Sequence, residues 1–404
     1  MKYCPPEYWI WMQNALGAGA RVSEILAYFE TPEELYLAGS DEWRLSGLFT
    51  EKKIEALKSS TPSQTAHIFN ECKSCGYTII TPDSNLYPER LRALSDMPLV
   101  LYGVGDCSVL SDALSIGIVG TRNASNYGIE TAQKLSYALA KGGATIVSGG
   151  ALGVDSEAHA GAMLAKGRTL AFLGCGLSYD YLKENAPLRR AITKYGAVVS
   201  EYAPHIAPSK RSFPIRNRLI SGVSLGVIVI EAGLKSGSLI TANRALEQGK
   251  DVFAVPGDII RSSFDGANHL IKNGAKPVFS AEDVLSEYDY RYCEYIKNEY
   301  LDISLNEIEY VDYRKKKKST NTVTEVKAEK VALKTEALVK ERIEPADVSE
   351  EALAVYKVLN EEPLHIDDII RATGMKMNIA LSALTELELE GIVEQVAGKK
   401  YKLI

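Results

Sequence analysis

Ser115-Ile116-Gly117-Ile118-Val119-Gly120-Thr121-Arg122 and, after a helical period over residues 128–140, Thr145-Ile146-Val147-Ser148-Gly149-Gly150 decide the fold. Each is an apolar run of strand length closed by small residues, and the segment between them repeats its apolar positions at helical spacing, so together they read as strand, helix, strand. Outward from this unit the pattern recurs: Thr169 to Leu173, Val198 to Val199, Leu225 to Ile230 and Val252 to Val255 are further apolar runs, with helical periods at Ser156 to Ala165 and Ser238 to Gln248 between them. Strands that are apolar throughout, without alternation, are buried on both faces, as in a parallel sheet covered by helices on each side. The expectation is an α/β domain over residues 66–287 with a doubly wound, mostly parallel sheet.

Both flanks differ in character. Residues 1–65 read as a small helical domain with helices at Glu7 to Leu16, Arg21 to Phe29, Pro32 to Ala38 and Glu51 to Ser59, punctuated by Gly17, Gly19, Gly39 and Gly47. Leu16-Gly17-Ala18-Gly19 and Leu45-Ser46-Gly47-Leu48 stand between helices, as the phosphate-contacting turn of a helix-hairpin-helix does, although glycine there also serves as a plain helix stop. From Tyr288 the chain turns charged and tyrosine-rich, passes through Lys315 to Lys318 and Ser319 to Thr322, and reaches Pro345, which is the composition of a linker. Residues 346–404 read as three helices, Glu350 to Leu359, Ile366 to Thr373 and Asn378 to Glu390, followed by a strand pair through Lys399, Tyr401 and Leu403: a winged helix.

At 404 residues the chain exceeds one ordinary core, and a hydrophobic share of 46% beside 24% charged residues is that of globular domains rather than of disorder or membrane spans. Residues 1–11 lack the basic start and apolar stretch of a secretory leader, so the expected location is the cytoplasm. Six cysteines are too sparse for a disulfide scaffold, and Cys72-x-x-Cys75 has no second pair at metal spacing. A net charge of −6 argues against non-specific coating of duplex DNA while leaving room for a local basic strip.

Small residues end nearly every buried strand: Gly120-Thr121-Arg122, Ser148-Gly149-Gly150, Gly174-Cys175-Gly176, Glu231-Ala232-Gly233 and Pro256-Gly257. These loops should share the carboxyl rim of the sheet, where open α/β folds bind ligands. Glycine lets backbone approach a ligand, and the helix that follows offers N–H donors to phosphate. A single loop of this kind would be ordinary turn chemistry. Five in one sheet suit a ligand with several phosphates. Beside them, Pro208 to Arg218 carries Lys210, Arg211, Arg216 and Arg218 with Phe213, the cations and ring that single-strand binding uses. The competing reading is a loop whose Arg216 and Arg218 pair with Glu201 and Glu231. No phosphate loop, dinucleotide fingerprint, nucleophile elbow or zinc helix is present in the sequence, and Asp155 with His159, though four apart, read as a helix-start acid and a packing histidine. No catalytic residue, metal ligand or cofactor is assigned.

Taken together, residues 117–122, residues 148–155 with Ala158-His159, residues 213–222, Glu231-Ala232 with residues 236–242, and Val255-Pro256-Gly257 resemble the DNA-processing protein A family, also called DprA or Smf. The resemblance implies an extended Rossmann-like fold between a helix-hairpin-helix or SAM-like module and a winged helix. It implies a non-enzymatic homodimer that binds single-stranded DNA and loads the recombinase RecA during natural transformation while single-strand-binding protein is displaced. It places phosphate contacts at Gly120, Thr121, Arg122, Ser148, Gly149 and Gly150. Lys210 and Phe213 take the strand, and Arg216, Asn217 and Arg218 belong to the same motif, the two arginines lining the groove. Asn123 departs from the commoner small or proline residue after Gly-x-Arg. In the winged helix, Glu386, Glu388 and Glu390 on the third helix repel phosphate, which favours an accessory or protein-contacting role, with Lys399, Lys400 and Lys402 on the wing. The alternative from another class is a nucleotide phosphoribohydrolase, whose Pro-Gly-Gly-x-Gly-Thr loop is here Glu231 to Ser238; a transcription regulator using the winged helix is a third.

Overall fold

Strands without a polar face must be covered on both sides, and residues 1–316, the larger of two compact units, accomplish this. The computed structural model describes residues 2–301, 303–313, 349–359, 364–375, 377–389, 392–396 and 400–403. Its large sheet contains β1 (Thr78–Ile80), β2 (Leu101–Gly105), β3 (Ser115–Val119), β4 (Thr145–Ser148), β5 (Thr169–Leu173), β6 (Gly196–Ser200), β7 (Gly226–Val229), β8 (Asp251–Ala254) and β9 (Lys276–Pro277) in the order β1-β2-β6-β5-β4-β3-β7-β8-β9. From β6 to β9 every pairing is parallel, and β1 and β2 form an antiparallel margin at the β6 edge.

Alternate side chains enter two cores. Val147, Phe172, Val199 and Val227 pack on one face, and Ile116, Ile118, Ile146 and Ile228 on the other. The N-terminal layer is α1 (Pro6–Leu16), α2 (Ser23–Phe29), α3 (Pro32–Leu45), α4 (Glu51–Lys58) and α5 (Ala66–Cys75), and α6 (Glu89–Arg92) links β1 to β2. The crossovers are α7 (Asn126–Lys141), α8 (Val154–Leu164), α9 (Ala186–Ile192), α10 (Ser212–Val223), α11 (Gly237–Glu247) and α12 (Asp265–Lys272). Leu219, Ile220 and Val223 of α10 and Ala242 and Ala245 of α11 cover the first face; Leu135 and Leu139 of α7 and Val154 and Ala158 of α8 cover the second. The chain runs outward from β3 through β4, β5 and β6, then α10 carries it back to β7 on the other side of β3. The switch in strand order therefore falls between β3 and β7.

The helical layer does not close at residue 65. Trp9, Trp11 and Trp43 share their core with Ile68 and Cys72 of α5 and with Met97, Leu99, Val100 and Tyr102. Three indoles exceed what helices this short bury among themselves, so α5 and the sheet margin complete their cover. The break expected at Gly39 is present as a φ of 75°, but helix resumes beyond it to Leu45.

The linker expected from Tyr288 does not begin there. After α13 (Glu282–Leu285) and α14 (Asp289–Tyr292), Tyr288, Tyr292, Ile296, Leu301, Leu305 and Ile308 pack on the second core. Gln133 then fixes Val311, donating to its carbonyl at 3.0 Å and accepting from its N–H at 2.8 Å. Tyr288 and Tyr292, which read as linker chemistry, are packing side chains here, whereas Tyr290 is exposed. The run Lys315 to Lys318, the stretch Ser319 to Thr322 and the linker to residue 345 lie outside the described residues, as do Lys376, Glu390 and Lys399.

The second unit holds α15 (Glu350–Val358), α16 (Ile366–Thr373) and α17 (Met377–Leu389) with an antiparallel sheet in the order β10-β12-β11, namely β10 (Leu364–His365), β11 (Val393–Val396) and β12 (Lys400–Leu403). Val355, Ile369, Leu384, Leu387 and Tyr401 form its core. Glu386 is engaged within the unit: its carboxylate accepts from the N–H and hydroxyl of Ser349, both at 2.6 Å, and the hydroxyl pair holds its pKa below the usual carboxylate range. Ser349 also caps α15, accepting from the Ala352 N–H. Ser349→Ala should lower this unit's stability by about 1 kcal/mol. An earlier urea midpoint for its unfolding, with the larger unit unchanged, is the expected reading.

Candidate functional site

Strands β3 and β7 lie side by side, but the chain leaves them toward helices on opposite faces, so a crevice opens beyond their carboxyl ends. It has a volume of about 290 Å³. Thr121 and Arg122 line it from the end of β3, Asp155 from α8, Phe213, Arg216 and Asn217 from α10, and Ser236 to Ser238 from the start of α11. The basic segment read as a loop is thus, from Ser212 onward, the opening of a helix. Ser209 and Ser212 stabilise its start reciprocally, each N–H donating to the other's hydroxyl at 3.0–3.1 Å. Pro214 falls in the first turn, where no N–H is required. Positions 213, 216, 217 and 220 lie on one helical face, and that face lines the crevice.

Arg216 is 5% exposed. Its Nη1 donates to the Phe172 carbonyl at 2.6 Å, while Nε has no partner among the described residues. Burial pushes its pKa down, opposed by nearby Asp155, whose own carboxyl is pushed up by burial and held back by Arg216. The crevice therefore has a buried, incompletely neutralised cation at its base. Gly149 makes this possible: a Cβ there would occupy the space of the Arg216 guanidinium and of Asp155 Oδ2. His159 lies deeper, its Nδ1 2.7 Å from the Thr169 hydroxyl, and burial lowers its pKa to about 3, so it is a neutral packing residue. No cluster of three or more His, Cys, Asp or Glu side chains among the described residues is arranged to hold a metal ion.

The Arg122 guanidinium lies over the Phe213 ring at 5.0 Å, and Tyr181 packs beside that ring at 5.4 Å. Gly174 makes room for the ring, since a Cβ there would stand 2.9 Å from Phe213. Asn217 Nδ2 donates to the Gly237 carbonyl at 3.3 Å, tying α10 to the first residue of α11, and Asn185 Nδ2 donates to the Gly150 carbonyl at 3.1 Å. Asn123 donates its backbone N–H to the Thr121 hydroxyl at 3.2 Å, a bond that any residue but proline would make there.

Gly120, Thr121, Arg122, Phe213, Arg216 and Asn217 all line the crevice, with Gly149 packed behind Arg216. Three expectations need correction. Ser148 is fully buried, its hydroxyl spent on the Ile118 carbonyl at 2.6 Å, so it joins β4 to β3 and offers a ligand nothing. Arg218 does not line the groove: it is 2% exposed and donates to both oxygens of Glu201 at 2.6 and 2.7 Å. The competing reading therefore holds for Arg218 and Glu201 but not for Arg216 and Glu231, which accepts instead from the N–H and hydroxyl of Ser125. Lys210 is exposed and stands two residues before α10. Ser236, Ser238 and Asp155 were not singled out as contacts from sequence; the first two follow a strand as the other rim loops do and were legible in that pattern.

In the turn at Gly17 and Gly19, Gly19 is engaged within the protein. The Gly19 N–H donates to Glu201 Oε1 at 3.3 Å and its Cα lies against Ile215, so this donor is not available to phosphate, while Gly17 stays exposed.

Residues 78–289 match the model of DNA recombination-mediator protein A, and residues 340–399 match the DprA winged helix domain. The chain belongs to the DNA recombination-mediator protein A family. The family span contains β3, β7, α10 and α11, hence every wall of the crevice. Protein Smf of Synechocystis sp. is 31% identical over 403 residues, 98% of each chain. DNA processing protein DprA of Bacillus subtilis is 44% identical over 220 residues, 54% of this chain and 74% of its own. The crystal structure of DNA processing protein A from Streptococcus pneumoniae aligns with a TM-score of 0.62 at 34% identity, covering 71% of this chain and 99% of that one.

Proposed function

We propose that this DNA recombination mediator binds single-stranded DNA at the β3–β7 crevice without catalysing a reaction on it. The observation that carries the reading is Arg216, a buried guanidinium with an unpaired Nε at the base of a rim crevice. A phosphate seated in the crevice beside this guanidinium neutralises the cation in a medium that screens charge poorly. The exposed Arg122 and Lys210 extend attraction along a backbone, and the Phe213 ring offers a base a surface to stack on. Family membership supports the wider role: a homodimer in the cytoplasm that loads RecA onto the bound strand as single-strand-binding protein leaves.

Fluorescence anisotropy of labelled oligo-dT against a duplex of equal length, over a salt series, tests this. The single strand should bind more tightly, with log affinity falling against log salt by roughly 0.7 per phosphate contacted. Lys210→Glu with Phe213→Ala should weaken binding by roughly 1–3 kcal/mol from the lost stacking alone. Equal affinity for strand and duplex in the wild type would sink the reading.

A further inference from the structure

The N-terminal layer meets the crevice helix through one buried carboxylate. Glu201 follows β6 and is 2% exposed. Its oxygens accept from Arg218 on α10, Oε1 also accepts from the Gly19 N–H, and its backbone carbonyl accepts from Gln13 Nε2 of α1 at 2.6 Å. The same Gln13 amide accepts from the Val100 N–H at 2.8 Å and donates to the Val100 carbonyl at 3.2 Å, pinning α1 to the start of β2. Arg218 Nε lies 3.4 Å from Asp96 Oδ2, one residue past Ser95, whose carbonyl accepts from the N–H groups of Val22 and Ser23 at the start of α2. Gly19 is against Ile215 so closely that a Cβ would come within 2.9 Å of its methyl group.

Ile215 and Arg218 are the neighbours in sequence of Arg216 and Asn217, on the side of α10 away from the crevice. Turning α10 about its axis moves both sets together, because a helix is rigid over two turns. A buried ion pair in which one nitrogen, Arg218 Nη2, donates to both Glu201 oxygens loses much when displaced, because it leaves a charge buried and uncompensated. We infer that Glu201 and Arg218, with the Gly19 turn seated on them, are positioning residues that set the rotation of α10 and so hold Arg216 and Phe213 in place for the strand. The N-terminal layer acts on the site as a brace. This rests on the crevice being the strand-binding site, and it assigns Arg218 a role that requires no contact with DNA.

Charge alone makes the opposite prediction, which gives the test its edge. Glu201→Gln removes a negative charge near a polyanion's site, and Coulomb attraction by itself then tightens binding. The brace predicts weaker binding, by roughly tenfold for a coupling of this kind. Full-length wild type and Glu201→Gln are compared by oligo-dT anisotropy, by stoichiometric titration for the fraction of active protein, and by amide hydrogen exchange without DNA. The expected result is a higher Kd with the active fraction unchanged, and faster exchange confined to residues 209–217 and the Gly19 turn while β3 and β7 keep their protection. A merely structural role lowers the active fraction or raises exchange throughout. Arg218→Lys, which keeps the charge but gives up the guanidinium that reaches Glu201 and Asp96 together, should fall between wild type and Glu201→Gln. Should Glu201→Gln fail to fold, Gly19→Ala presses on Ile215 with both charges intact and should give the same pattern. Unaltered exchange at residues 209–217 overturns the brace whether or not DNA binds; wild type that ignores the strand sinks the functional reading, while exchange still decides the brace.

Discussion

Arg216→Met is expected to weaken single-strand binding by roughly 2–3 kcal/mol, a factor of about 30–150, the scale of a charge-assisted hydrogen bond made in a dry site. The side chain is nearly as long and keeps the aliphatic packing, so the loss isolates the guanidinium. The salt slope should also flatten by about 0.7, one phosphate contact. The variant carries a pH signature as well. Burial already raises the Asp155 pKa, and Arg216 opposes that rise. Without the arginine the folded-state pKa climbs further. A carboxyl raised in the folded state binds protons more tightly there than in the unfolded chain, so stability falls as pH increases from the unfolded value through the folded one. The stability deficit of Arg216→Met should therefore be smaller at pH 5 than at pH 8. A deficit that grows on acidification, or oligo-dT affinity within twofold of wild type, would remove Arg216 from the base of the site.

Gly153→Val should have the largest effect on stability. Gly153 precedes α8 with φ 75° and ψ −130°, a combination that side chains do not adopt without strain, and a Cβ there would run into the carbonyl oxygens of Thr121 and Arg122. Those atoms are backbone, and Thr121 is further held by Val154, whose N–H donates to its carbonyl at 3.2 Å, and by Glu231, whose carbonyl accepts its N–H at 2.7 Å. Strain of about 1–3 kcal/mol for the backbone and a similar amount for overpacking add to roughly 2–6 kcal/mol. Chemical denaturation should show this as a lower midpoint with little change in slope. Refolded protein should also bind oligo-dT poorly, because the displaced residues are those at the crevice mouth. A cost under about 1 kcal/mol would mean that the loop yields freely.

How far the sequence carried these conclusions depended on how locally each feature is encoded. The parallel strands were legible because each is apolar throughout, and β3 and β5 have the bounds that their composition marks. The margin strand β1 is three residues long and β2 contains Gly103 and Gly105, so neither has a periodicity to detect. Rim glycines announced the crevice. What sequence could not resolve was the direction of the two arginines: two residues apart on a helix, they point about 200° apart, and only the register of α10 sends Arg216 to the crevice and Arg218 to Glu201. The start of α10 was obscured in turn by Pro208 and Pro214, which look like loop punctuation but sit before and within a first turn. Nothing in the tyrosine-rich segment after β9 marked Tyr288 and Tyr292 as buried against the sheet rather than solvated.

The seam between β3 and β7 also bears on when the crevice forms during synthesis of the chain. Ile116 pairs with Gly226, so the central parallel pairing joins residues more than a hundred positions apart. Such pairings close large loops and form slowly. On the ribosome the chain through β6 can assemble one half of the sheet, yet that half has a single wall of the crevice. The second wall arrives only when β7 inserts beside β3 and α11 follows it. On the reading proposed above, a nascent chain that meets nucleic acid before α11 is made has no assembled crevice in which to hold it.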